Sequence, residues 1–275
     1  PAETAEFFKK VFEWEIIEGE EGQLYVAVDR YHHRITIYKS DKPGLKAIGW
    51  QVFNKKAFLG TAKLLEQAGV PYEMGTPEQC EERKVHQFLA FNDPAGNRVE
   101  VCYAPYVTRP NVSSIGYLNV INFLHATLLI PRHLFDKTLA FYEDVLLFNV
   151  TDLVNDNVAF TRCSTSHHNL AIVGLDDVTE TKLQHFMFEV ESLDDVMKAF
   201  YRAQAQGQNI KGPGRHSNCK TVHVYSTIPG MEEITHIEIG YGHLQIPNDD
   251  QWEIIRYSLS EADWKTEVVN PWTKI

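Results

Sequence analysis

The chain has 275 residues, 44% apolar and 23% charged, with a net charge of −11 from 37 acidic and 26 basic side chains. That length allows a sizeable core and roughly two domains, and the acidic balance with no visible basic stripe disfavours a phosphate backbone, so no nucleic-acid partner is expected. No apolar run approaches the ~18–20 residues of a membrane span, no signal peptide precedes the first helix, and Cys80, Cys102, Cys163 and Cys219 form no CxxC pair, so a reduced, cytoplasmic protein without a membrane partner is expected.

AETAEFFKKVFEW opens the chain as a helix, with Phe8, Val11 and Phe12 at 3.6-residue spacing. Strands are expected at 24–28, 33–38 and 47–53, then a helix over 56–69 with Phe58, Ala62 and Leu65 on one face and Gly69 as C-cap. VHQFLAFND, the turn Asp93-Pro94-Ala95-Gly96 and NRVEVCY close this half, a β-α-β-β-β outline occurring about twice before residue 105. APYVTRPNVSSIG (104–116), with two prolines and two serines, reads as the linker. The pattern then restarts. YLNVINFLHATLLI (117–130) is a strand region, Pro131 suits the first turn of a helix, and Phe135, Leu139, Tyr142 and Leu146 give that helix its stripe. NVAFTR, HHNLAIV and QHFMFEV follow as strands, and ESLDDVMKAFYRAQAQG as a helix with Ser192 as N-cap and Val196, Phe200 and Ala203 inward. KTVHVYST and ITHIEIGYG flank the Pro229-Gly230 turn, and a polar tail with Trp252, Trp264 and Trp272 is expected to pack on the outside.

The halves are copies. Phe7–Val11 aligns with Phe141–Val145 at an offset of 134, His32-His33 with His167-His168 at 135, and Ile48–Val52 with Phe186–Val190 at 138. Pro94…Glu100 matches Pro229…Glu238 with extra residues. These repeats predict an α+β fold: βαβββ modules paired into two similar domains, each an open barrel-like sheet, the first module lacking its opening strand. The expected divisions are 1–105, a linker at 106–116, a catalytic unit at 117–242, and a tail at 243–275.

Function belongs where the copies diverge. Nine of the 12 histidines lie from His125 onward, and Ala47 stands opposite His185. His125, His185, Tyr225 and Glu238 occupy strand positions where apolar residues would be ordinary. Two neutral imidazoles and a carboxylate on adjacent strands can fill one face of an octahedron and leave three positions open, which suits non-haem Fe(II). A buried carboxylate without a cation would cost several kcal/mol, so Glu238 asks for a metal. Singly, a strand histidine is more often a hydrogen-bonded core residue, and Glu238 alone reads as an edge-strand charge; the case rests on the set. Glu232 and Glu233 are alternatives to Glu238, which is preferred for its place in the alternating run 236–239. Parity puts His236 on the same face. It also turns only one of His167 and His168 inward, leaving His167 solvent-facing or structural.

FLHATLLI, AFYEDVLLF, HHNLAIV, LQHFMFEV, GRHSN, VHVYST and IEIGYG, with DRYHHRITIY, IGWQVF and FNDPAGNRVEVCY in the first half, resemble the two-domain extradiol catechol dioxygenases of the vicinal oxygen chelate superfamily. The resemblance runs from residue 1 to about 255. It implies His125, His185 and Glu238 as ligands of Fe(II), with Mn(II) as the alternative metal. It implies His168 as the proton-transfer group, and His216 and Tyr225 as groups that bond substrate oxygens. Asn218, and His236 by its face, would line the substrate pocket. A catecholic substrate, O2 and assembly as a homo-oligomer are implied with them. The sequence departs from the family pattern at Cys219, at Leu147, at Ile228 and in the extra residues before Glu238. A glyoxalase-like metal-dependent isomerase or lyase, and a non-enzymatic binding protein, are the other readings of such repeats. The first would spread ligands over both halves, and the second needs no convergent metal-type residues.

Overall fold

The computed structural model describes residues 1–232, 234–247 and 252–260. The apolar stripe at the start folds as α1 (Ala2–Phe12), with Phe7, Phe8, Val11 and Phe12 buried. Glu13 ends it in the left-handed region at φ 57, and β1 (Glu15–Glu18), β2 (Leu24–Ala27) and β3 (Ile35–Ile37) follow as an antiparallel sheet. The second module is β4 (Ile48–Val52), α2 (Lys55–Gln67), β5 (Glu73–Met74), α3 (Pro77–Glu82), β6 (Val85–Asn92) and β7 (Arg98–Pro105), in sheet order β4-β7-β6-β5. Asn54 caps α2 by accepting from Ala57 N at 3.0 Å. Its C-cap is Ala68, and Gly69 lies just beyond at φ +68.

Residues 106–116 carry no strand or helix but bond back to the first sheet, as in Ile115 N donating to Val28 O at 2.8 Å. Gly116 sits at φ +82, and a Cβ there would lie 2.2 Å from Phe12 O, so the crossing admits only glycine.

The second half has two complete modules. β8 (Val120–Pro131), α4 (Phe135–Asp144), β9 (Asn149–Val154), β10 (Val158–Arg162) and β11 (Leu170–Leu175) form one. β12 (Lys182–Val190), α5 (Leu193–Ala205), β13 (Ile210–Arg215), β14 (Val222–Thr227) and β15 (His236–Tyr241) form the other. With β16 (Ile255–Tyr257) they make a nine-stranded sheet in the order β13-β14-β15-β12-β8-β11-β10-β9-β16. β8 joins the modules, parallel to β11 and antiparallel to β12. In the first half no described strand lies between β3 and β4, so that half stays split into sheets of three and four strands. The described residues thus supply no counterpart of β8 to join those two sheets, as expected from the repeat.

Two expectations need correction. Pro131 is the last residue of β8, and a 3-10 turn over 132–134 separates it from α4, which also stops short of Leu146. The tail is not wholly outside. β16 does pair with β9, and Trp252 Nε1 donates to Thr151 O at 3.0 Å, but His243 and Ile246 are buried. Trp264 and Trp272 lie outside the described residues. Ser192 caps α5 as expected, accepting from Asp195 N, and Val196 and Ala203 are buried, whereas Phe200 is only half-buried.

Aromatic contacts tie the halves together. Trp14 stacks on Phe12 at 4.7 Å and meets Phe188 edge-on at 4.9 Å. Trp50 meets Phe148 at 5.2 Å, and Tyr142 Oη donates to Asp93 at 3.2 Å. Burial of each such ring contributes ~1.5–3 kcal/mol, so the site-bearing sheet is braced from the first half. Among the described residues no helix is long and apolar enough to cross a membrane.

Candidate metal centre

The cross-strand pairing levels the candidate residues. Met187 on β12 pairs with His125 on β8 and with Glu238 on β15, and Glu238 pairs with Tyr225 on β14. Directly paired residues share a face, and so do residues two apart on one strand. His125, His185, Tyr225, His236 and Glu238 therefore all project to the inner face of the curved sheet.

His125 Nε2 stands 3.0 Å from His185 Nε2 and 3.2 Å from Glu238 Oε2, and His185 Nε2 stands 3.3 Å from Glu238 Oε2. Donors ~2.0–2.2 Å from one metal and at right angles to each other lie roughly 3 Å apart. The three atoms thus have the spacing of one octahedral face. Gln184 Oε1 accepts from His185 Nδ1, which turns the Nε2 lone pair toward the cluster, where Thr127 Oγ1 lies 3.2 Å away. Glu238 has no exposed surface, and neither of its oxygens receives a well-directed hydrogen bond; His125 Nδ1 is also without a partner. Orphaned buried polar atoms of this kind fit a missing cation.

The electrostatics agree. Burial pushes Glu238 up, but the facing His125, His185 and His216 imidazoles outweigh it and hold the carboxyl well below its ordinary range. Burial pulls His125 down to about 4 against the opposing pull of Glu238. The imidazole is neutral at physiological pH, as a ligand must be.

The other expected residues surround this triad. His168 is buried with its ring 4.2 Å from that of His125, and burial followed by the neighbouring His125, His243 and His167 holds it well below its ordinary value. Tyr225 Oη lies 3.0 Å from His216 Nε2, which is 3.5 Å from Glu238 Oε1. Burial and the Glu238 charge push Tyr225 well up, so it remains a phenol. Asn218 is buried in the turn after His216 with Nδ2 unpaired. His236 donates Nδ1–H to Ile234 O at 2.7 Å. Glu232 is not at the cluster: it pairs with Lys182 at 3.5 Å and is partly exposed. Glu233 lies outside the described residues.

His167 is not solvent-facing. It is 1% exposed, its Nε2 donates to the buried Asp152 Oδ2 at 3.0 Å, and its Nδ1 stands 3.2 Å from His168 Nδ1. Residues 167–169 precede β11, so strand alternation does not apply and both imidazoles turn inward. Two further polar residues escaped the sequence reading. His223 stacks on His216 at 4.0 Å; it lies two residues before Tyr225 on β14, and parity alone would have found it. His243 accepts from His168 N through Nε2 at 3.4 Å and donates Nδ1–H to Thr221 Oγ1 at 2.8 Å; it follows the strand, where no pattern points to it. Two other triads, His125/His168/His243 and His216/His223/Glu238, also bring their ligating atoms close together. Each shares a member with the first.

A family model spans both halves of the repeat, matching residues 1–101 and 123–228, and is that of the Glyoxalase/Bleomycin resistance protein/Dioxygenase superfamily. The chain belongs to that superfamily. Among superfamily members, biphenyl-2,3-diol 1,2-dioxygenase of Metapseudomonas furukawaii is 30% identical over 259 residues, covering 88% of this chain and 81% of that protein. An iron-dependent extradiol dioxygenase of Rhodococcus jostii (strain RHA1) is 29% identical over 260 residues, covering 88% and 84%. The crystal structure of BphC, a halotolerant catechol dioxygenase, superposes with a TM-score of 0.82 at 28% identity over 94% of this chain and 87% of that one.

Proposed function

We propose that the chain is an extradiol dioxygenase, inserting both atoms of O2 into a catechol or biaryl-2,3-diol beside the diol to give a muconic-semialdehyde-type product of aromatic degradation. Residues 117–242 would be the catalytic unit and 1–105 a metal-free partner of the same build. The observation that carries this reading is the buried facial set of His125 Nε2, His185 Nε2 and Glu238 Oε2, mutually 3.0–3.3 Å apart, in a chain whose relatives bear ring-cleaving names.

Fe(II), or Mn(II), would be held by those three residues; when bound it supplies Lewis acidity toward the diol oxygens and open positions that bring diol and O2 together. The protein's own groups do the rest. Tyr225 Oη and His216 Nε2 are placed to hydrogen-bond a substrate oxygen beside Glu238, and Asn218 and His236 would line the ring. His168 is the group that holds and moves a proton. Asp152 takes the Nε2–H of His167, so a neutral His167 presents a bare Nδ1 to His168. His168 then carries its proton on Nδ1 and offers a bare Nε2 as a base. A proton taken up at His168 Nε2 is matched by passage of its Nδ1 proton to His167 Nδ1, which leaves a neutral His168 with an Nε2 proton to give. His168 is buried, with the Phe160 ring 4.9 Å from its own, which limits the water that can compete for it.

The glyoxalase-like reading is not favoured by the first half, where the carboxylate equivalent to Glu238 is taken up by arginine. The test is O2 uptake and visible absorbance from Fe(II)-loaded protein given a panel including 3-methylcatechol and 2,3-dihydroxybiphenyl. One O2 consumed per diol with a yellow product is expected. Metal bound without any O2 uptake across the panel would overturn it.

A further inference from the structure

Lys211 lies on β13, paired directly with Tyr225, and therefore shares the inner face with Tyr225, Glu238 and His236. Its Nζ is 3.3 Å from His236 Nε2. The tautomer of that imidazole is set, because Nδ1–H is given to Ile234 O. Nε2 is a bare acceptor, and the ammonium donates to it. A surface lysine is ordinarily a solvated point charge, but this one is drawn over a buried histidine at the rim of the site. Among the described residues no carboxylate stands within ion-pair distance of it, and Glu232 is taken by Lys182. In a chain of net charge −11, an exposed ammonium drawn to a buried histidine at the rim, with no acidic partner among the described residues, is a place for an anion.

The rim is on the right side of the cluster. The triad is closed to solvent at His125 and Glu238, with side chains 1% and 0% exposed, while His185 at 11% and the neighbouring His216 at 13% show some surface. His185 is the strand partner of His236, and His216 is the contact of Tyr225. The accessible flank is thus the one that Lys211 borders. His236 is two residues from Glu238 along β15, ~7 Å by strand rise. A ring whose oxygens sit at Glu238 and Tyr225 would project a substituent toward that ammonium.

Resting on the extradiol reading, we propose that the substrate is a catechol bearing an anionic substituent, a carboxylate, which Lys211 receives while His236 holds the ammonium in place. The contact is a charge-assisted hydrogen bond at a half-open rim, which corresponds to about a tenfold preference over the same ring without the charge. No bond of the carboxylate is made or broken.

The experiment compares a carboxylate-bearing catechol with its methyl ester, in wild type, Lys211→Met and Lys211→Arg. It measures kcat/KM, and the anaerobic Kd of each compound for the metal-loaded protein. The proposal expects wild type to favour the carboxylate about tenfold in both readouts, Lys211→Met to bring the ratio near one, and Lys211→Arg to keep most of it. A wild-type ratio near one, or a ratio unchanged in Lys211→Met, would overturn the proposal while leaving ring cleavage intact. No O2 uptake with either compound, or with neutral catechols, would overturn the extradiol reading and this proposal with it.

Discussion

Glu100 and Glu238 occupy the same position in two copies of one sheet and are neutralised in different ways. Gly49 pairs with Glu100 between β4 and β7, and Met187 pairs with Glu238 between β12 and β15. Gly49 and Met187 are themselves equivalent at the repeat offset of 138. Glu100 is gripped by Arg83 through Nε at 2.6 Å and Nη2 at 2.8 Å, with Arg98 Nε at 3.0 Å. Among the described residues Glu238 faces imidazoles and the Tyr225 phenol, with no lysine or arginine in ion-pair reach. One carboxylate carries its counter-charge in the chain, and the other, on the proposed reading, meets a bound cation.

This contrast predicts opposite outcomes for one chemical change. Glu100→Gln leaves Arg83 half-buried without its bidentate partner and costs about 1–3 kcal/mol of stability, with metal binding retained. Glu238→Gln removes the carboxylate that the facing imidazoles hold ionised, so the metal-free protein is expected to melt somewhat lower than wild type. It loses the rise in Tm that Fe(II) or Mn(II) gives wild type by binding the folded state. Thermal melts with and without metal check both.

Asp152 acts through His167 on His168. Asp152→Asn removes the acceptor that sets the His167 tautomer, and kcat is expected to fall roughly 10–100-fold, as for other orienting carboxylates. Metal content should stay at the wild-type value. His168→Gln should also keep its metal and lose most turnover. Metal analysis alongside steady-state kinetics separates a proton-transfer defect from a lost site.

Acid should destabilise the metal-free protein sooner than its carboxyl groups alone dictate. Burial holds His125 at about 4 and His223 at about 3, against ~6.5 in the unfolded chain. Below ~6.5 the unfolded state takes protons that the folded state refuses, so stability is full above that pH and falls as the pH drops toward the folded values. At pH 5 the loss is on the order of 2 kcal/mol for each such histidine. His168 and His243 shift in the same direction, while Asp93 and Glu189, raised by burial, oppose them. Urea unfolding at pH 7 and pH 5 measures the difference.

Leu147 is at φ 60 and 61% exposed. It follows α4 at the position that Glu13 (φ 57) takes after α1, offset by 134 residues. A left-handed leucine costs roughly 1–2 kcal/mol that glycine avoids. Leu147→Gly should therefore raise stability by about 1 kcal/mol with activity unchanged, and an equilibrium unfolding curve will show it.

The sequence was most informative where periodicity and repetition reinforce each other. The offsets at Phe7, His32 and Ile48 gave the duplicated modules and the missing strand, and Ala47 opposite His185 placed the metal-type residues in one half. Strand parity brought His236 to the face of Glu238. The same rule misled at His167, because that residue precedes β11 and the chain there is irregular. The partner of His167, Asp152, is 15 residues away on β9, and His243 reaches His168 from beyond β15. Such contacts are made by the closing of the sheet, and no local pattern carries them. β1, β9 and β13 were likewise not read: their strand character comes from the partners they pair with more than from their own alternation.

The most direct test of the central claim is anomalous diffraction at the iron edge from crystals of protein loaded anaerobically with Fe(II). One strong peak per chain is expected, within ~2.0–2.2 Å of His125 Nε2, His185 Nε2 and Glu238 Oε2, and absent in His185→Ala. A peak at His216 and His223 or at His168 and His243 instead, or no peak in fully loaded crystals, would contradict it.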